Sequence, residues 1–170
     1  MNIPSIAPLR LPALRLTSTA GRICELSELP HALLIFAPFA LPRNESLGRP
    51  WEGDESAIVG LDELLAFARL HGQFESRAIQ LFGITTQSPL VQKLVAEMLS
   101  LPFPLLSDSR RELCQHLQLP TTNRGRIPRN RPIIIEVRKG SVAYVWDPLA
   151  SSGECATLIL KHASNDTNYD

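Results

Sequence analysis

The chain has no surplus of charge, no cysteine pair and no long apolar run, and each absence removes a class of function. Lys+Arg and Asp+Glu both number 17, so the formal net charge is zero, which argues against nucleic acid or an anionic membrane surface as the main partner. No run approaches the roughly 18 apolar residues that a membrane span needs. The opening MNIPSIAPLRLPALRL is interrupted by Pro4, Pro8 and Pro12 and has no continuous apolar stretch, so it does not read as a signal peptide. The three cysteines, Cys24, Cys114 and Cys155, lie far apart with no CxxC, a usage that fits a reduced cytoplasmic protein better than a disulfide scaffold. His31, His71, His116 and His162 show no metal-ligand spacing with one another or with cysteine, so no metal site is expected. There is no phosphate loop, no GxGxxG and no serine in a nucleophile-elbow pattern, and no cofactor is expected. Internal repeats and low-complexity segments are also missing.

What is present reads as one domain over residues 1–163 with a sizeable core, followed by a polar tail, Ser164–Asp170 (SNDTNYD), expected to fray. Leu14–Leu16 and Ile23–Leu26 flank TSTAGR and its turn glycine, which predicts a hairpin. Ala32–Phe39 is almost wholly apolar, as in a strand buried on both faces. Pro42 to Gly60 is rich in Pro, Gly, Asn and acids and reads as a long loop. Leu61 to about Phe74 reads as a helix with Leu61, Leu64, Leu65 and Ala68 on one face and Phe67, Leu70 and Phe74 on another. Ala78–Thr85 is the next strand. Pro89 opens a helix with Leu90, Val91, Leu94, Val95, Met98 and Leu99 on one side. A short strand around Pro104–Leu106 ends at Ser107–Asp108, which can cap a helix over Arg110–Leu119. Arg124–Arg131 is a basic loop, Pro132–Val137 and Val142–Trp146 are strands joined at Lys139–Gly140, and Glu154–His162 is a closing helix. Strands alternating with helices, then a hairpin and a helix, indicate an α/β domain with a central mixed sheet.

Several segments carry a closer likeness. Gly21-Arg22 and Leu26-Ser27-Glu28-Leu29 lead into a buried strand that ends in Pro38. Gly48-Arg49-Pro50-Trp51, Ile58-Val59-Gly60, Phe82-Gly83-Ile84-Thr85-Thr86-Gln87, Leu101–Asp108 (LPFPLLSD) and Leu117-Gln118-Leu119-Pro120-Thr121 then follow in order. From Leu14 to His162 this pattern resembles the peroxiredoxins, thiol-specific antioxidant proteins of the alkyl hydroperoxide reductase type. The resemblance implies a thioredoxin-like α/β fold with a central mixed sheet flanked by helices. It also implies a reactive-cysteine turn directly after the segment that the family has as I-P-G and this chain has as Ile58-Val59-Gly60. Here Gly60 runs into Leu61-Asp62-Glu63-Leu64-Leu65, and no cysteine occurs anywhere from Ala40 to Arg69.

A peroxidatic thiol works as a thiolate, stabilised by a helix amino terminus and a nearby arginine. The resemblance places that arginine at Arg131, in NRPIIIEV. The thiol's place is taken by Asp62 and Glu63, expected in the first helical turn, which suit the positive end of the helix but cannot attack a peroxide. Cys24 shares strand parity with Leu26, Cys114 lies beside Leu113 and Leu117, and Cys155 beside Leu158 and Ile159, so all three read as core residues. Three functions are therefore carried. The first is a degenerate peroxiredoxin-like protein without thiol peroxidase activity, acting as a small-molecule-binding or assembly module. The second is a repurposed cofactor-independent enzyme that acts on a small organic substrate in a specialised biosynthetic pathway, its pocket built from Trp51, Asp54, Asp62, Glu63 and Arg131. The third is a residual thiol oxidoreductase using Cys114. The second apolar stripe of the long helix, Phe67, Leu70 and Phe74, predicts a homodimer interface or a pocket wall, because such a stripe would otherwise lie in water.

Overall fold

A computed structural model describes residues 9–37, 55–122, 129–148 and 154–166. The chain begins with a small antiparallel hairpin, β1 (Arg15–Thr17) and β2 (Ile23–Glu25), in which Leu16 faces Cys24. Gly21 supplies the left-handed residue of its turn at φ +75°. Then come β3 (His31–Phe36), α1 (Glu55–Glu75), β4 (Gln80–Thr85), α2 (Pro89–Met98), β5 (Leu105–Ser107) and α3 (Glu112–His116). Two residues each form β6 (Thr121–Thr122) and β7 (Arg129–Asn130), and β8 (Ile133–Arg138), β9 (Ser141–Trp146) and α4 (Cys155–Asp166) complete the order.

The sheet runs β5-β4-β3-β8-β9. Its parallel half, β3–β4–β5, meets an antiparallel half, β3–β8–β9, at β3, which lies in the middle. This is the expected mixed α/β sheet. The β8–β9 turn is tight because Lys139 and Gly140 both take positive φ, 51° and 71°, the primed turn that matches strand twist. A Cβ on Gly140 would collide with the Ser27 carbonyl.

Two apolar layers follow from strand alternation. On one face Leu33, Ile35, Leu81, Leu105 and Ile134 pack with Leu64, Phe67 and Phe74 of α1 and with Ile159 and Leu160 of α4. On the other, Leu34, Phe36, Ile84, Ile135 and Val137 pack with Leu16, Leu26, Leu113 of α3 and Leu117 just beyond it.

Five expectations need correction. The helix expected from Leu61 starts at Glu55, so the last six residues of the expected long loop are helical and Asp62 and Glu63 lie about two turns in, not in the first turn. The stripe expected to face water does not: Phe67 and Phe74 are completely buried, with ring centroids 5.3 Å apart, and Leu70 packs against the same core. The physical reason is α4, which docks on α1 and joins the sheet in covering it, so α1 is a buried helix rather than a two-sided one. On α2 the expected apolar side is split. Val95 is buried, whereas Leu90, Leu94 and Met98 are exposed. The inward position goes to Gln92, whose Nε2 donates to Thr85 Oγ1 at 2.8 Å and to the Leu106 carbonyl at 2.7 Å. Finally, α3 is five residues long because Arg111 and Gln118 both take left-handed φ. Asp108 still caps it, accepting from the backbone N–H groups of Leu113 and Cys114 at 3.2 and 3.0 Å. α4 continues through Ser164–Asp166, the first residues of the expected tail. No helix among the described residues is long and apolar enough to cross a membrane.

Candidate functional site

Arg131 follows β7 and is fixed by its backbone N–H, which donates to the Pro120 carbonyl at 3.0 Å. It stands just before β8, where the resemblance puts the thiolate-stabilising arginine. Its guanidinium is already engaged: Nη2 donates to Asp147 Oδ2 at 2.7 Å, with only 19 % and 16 % of the two side chains exposed. Nε of Arg131 is buried without a partner. Among the described residues no hydrogen bond or ion pair joins Arg131 to Asp62 or Glu63. Trp51 and Asp54, the other members of the candidate pocket, lie outside the described residues.

Asp62 and Glu63 part company on α1. Asp62 is exposed; Glu63 is 1 % exposed, and neither of its carboxyl oxygens has a hydrogen-bond partner. Burial, and secondarily the charge of Asp62, push the Glu63 carboxyl up to about 7 against a weaker pull from the Cys155 backbone N–H. The two acids therefore do not act as a pair: one is solvated, the other an interior acid at the α1–α4 contact.

Cys114 and Cys155 are core residues, as their apolar neighbours predict, and Cys24 packs against the core from its edge. Cys155 is fully buried at the start of α4. Cys24 is half-buried, and burial followed by the charge of Glu25 raises its pKa. Cys114 is 3 % exposed. Burial pushes its thiol up strongly, and Asp108 adds to this both by hydrogen bonding and by its charge; Asn130, whose Nδ2 donates to Sγ, and the Arg111 charge oppose the rise without reversing it. A thiol held in its neutral form is a poor nucleophile.

The motif segments FGITTQ and LPFPLLSD tie two parallel strands together at their carboxyl ends, where open α/β sheets bind ligands. Thr85 Oγ1 accepts from Gln92 Nε2 and, at 3.1 Å, from the Gln87 backbone N–H, while the Ser107 hydroxyl donates to the Gln87 carbonyl at 2.6 Å. Gly83 lets β4 approach: a Cβ there would run into Leu105 Cδ2.

Two polar constellations escape the sequence reading. Asp147, the partner of Arg131, follows the apolar run AYVW; an arginine just before one strand of a hairpin and an acid just after the other is the signal that would have paired them. The second is Glu136, whose side chain is 2 % exposed and whose Oε1 meets His31 Nε2 at 3.0 Å and Arg138 Nε and Nη2 at 2.8 and 2.7 Å. Burial raises the pKa of this carboxyl, but the hydrogen bonds and charges of His31 and Arg138 outweigh that and leave it lowered. Its signal was an acid inside IIIEV. Among the described residues no group of three or more His, Cys, Asp or Glu could hold a metal ion.

Comparison with known proteins agrees with this architecture. The family model described as AhpC/TSA family matches residues 57–145. No curated protein matches the chain. Among solved structures, peroxiredoxin Q of Xanthomonas campestris superposes with a TM-score of 0.70 at 18 % identity, over 92 % of this chain and 96 % of that one. The peroxidoxin BcpB of Mycobacterium tuberculosis gives 0.71 at 18 % identity over 93 % and 96 %. A cysteine-to-serine variant of PrxQ from Xylella fastidiosa gives 0.72 at 17 % identity over 98 % of both chains. At such identities the likeness is one of fold.

Proposed function

The chain belongs to the AhpC/TSA family, and from that premise we propose that it uses the peroxiredoxin fold without thiol peroxidase chemistry, as a binding or assembly module. The observation that carries this reading is the run from Ala40 to Arg69, which contains no cysteine. Geometry supports it in three ways. Leu61, which follows Gly60 where the family's cysteine turn would begin, lies within α1 and not at its amino end, and the helix field that lowers a thiol pKa fades within the first turn. Arg131 is neutralised by Asp147. The thiol of Cys114, the candidate for residual activity, is buried and held protonated.

The assembly half of the proposal is a homodimer. Phe67, Leu70 and Phe74 are spent inside the core, so the surface offered for it is the exposed row Leu90, Leu94 and Met98 on α2, spaced at i, i+4 and i+8 along one helix side. No disulfide joins the cysteines among the described residues, which supports placing the protein in the reducing cytoplasm. Trapping of sulfenic acid tests the chemical half. After a peroxide pulse in the presence of dimedone, intact-mass analysis should show no adduct. An adduct mapped to Cys114 would favour the residual thiol oxidoreductase instead.

A further inference from the structure

Glu63 is the most poorly accommodated polar group in the described interior. It is 1 % exposed, carries a carboxyl with no hydrogen-bond partner, and sits on α1 where α4 packs. An ionised carboxylate in such a place is costly, whereas a neutral one is tolerable. The groups around it give the ionised form little help. On its own helix the neighbouring charge is Asp62, which repels a second negative charge. From α4 the favourable group is the Cys155 backbone N–H, whose pull on the carboxyl is weaker than the burial that opposes it. The other titratable groups at or on α4 are not set against it: Glu154 and Lys161 are exposed, His162 lies about two turns further on among the rings of Tyr144 and Trp146, and Asp166 ends the helix. β4 has no titratable side chain, and the one on β3, His31, is held by Glu136.

We propose that Glu63 is a proton latch between α1 and α4: neutral, it lets α4 seat on α1; ionised, it loosens that contact, so that the docking of α4 responds to pH. With its carboxyl lifted from the ordinary 4.5 to about 7 while α4 is docked, and near the ordinary value once α4 lifts away, opening becomes easier as pH rises from about 4.5 to 7 and changes no further above that.

Amide hydrogen exchange, corrected for intrinsic rates and measured on the full chain at pH 5.5 and pH 8, tests this. Linkage over that interval predicts that protection of Ile159 and Leu160 falls by about thirtyfold while protection in β3 and β8 holds. In Glu63→Gln, which cannot ionise, α4 protection should not change with pH. The proposal is overturned if the α4 amides of the wild type hold steady, if the sheet amides fall by the same factor, or if Glu63→Gln retains the fall. Asp62→Asn, at an exposed position, provides a second variant should Glu63→Gln fail to fold. Removing that charge should move the midpoint of the α4 transition to lower pH, and an unmoved midpoint also overturns the proposal.

Discussion

Replacing Glu136 by glutamine isolates the charge of a buried carboxyl without changing its shape. The wild-type Oε1 receives one bond from His31 and two from Arg138, all within 3.0 Å. Glutamine can still accept through its amide oxygen, so the loss is the charged component of the two partner interactions. Charge-assisted bonds are about twice as strong as neutral ones, and a neutral bond contributes about 1 kcal/mol net. Two partners thus give a loss of about 2 kcal/mol at pH 7. Because the native carboxyl titrates below its ordinary 4.5, this stabilisation is present in full above that value and disappears as pH falls through the native pKa. Urea unfolding followed by circular dichroism should place the Glu136→Gln midpoint about 1 M lower at pH 7, taking a slope near 2 kcal/mol/M. The gap should narrow as pH is lowered below 4.5. Equal midpoints at pH 7, or an undiminished gap in acid, would refute the reasoning.

Phe74→Ala removes a completely buried ring and should cost about 3–5 kcal/mol; a thermal midpoint within about 2 °C of the wild type would return Phe74 to the surface. Leu94→Glu puts a charge in the exposed α2 row and should lower self-association in sedimentation velocity while leaving the thermal midpoint unchanged. A sedimentation profile identical to that of the wild type removes that row from the proposed dimer.

The main strands and the β8–β9 turn were legible because apolar runs and Lys139–Gly140 encode them locally. The resemblance put Arg131 immediately before its strand, where it stands. What escaped the sequence depends on neighbours far along the chain. Periodicity found both apolar sides of α1 but could not show that α4 lies across the second. On α2, Leu90, Leu94 and Met98 outvoted Gln92, although it is Gln92 that bonds to Thr85 and Leu106. The acids ahead of Leu61 read as loop, yet Glu55–Gly60 is the start of α1. Arg131 and Glu63, grouped in the candidate pocket, have partners far along the chain: Arg131 meets Asp147 across the fold, while Glu63 is buried against α4.

We propose that this family member does not turn over peroxide, and stopped-flow measurement of hydrogen peroxide consumption with a thioredoxin reductant decides it. The rate should be no higher than that of the reductant alone and unchanged in Cys114→Ser. Saturable peroxide consumption that disappears in Cys114→Ser would contradict it.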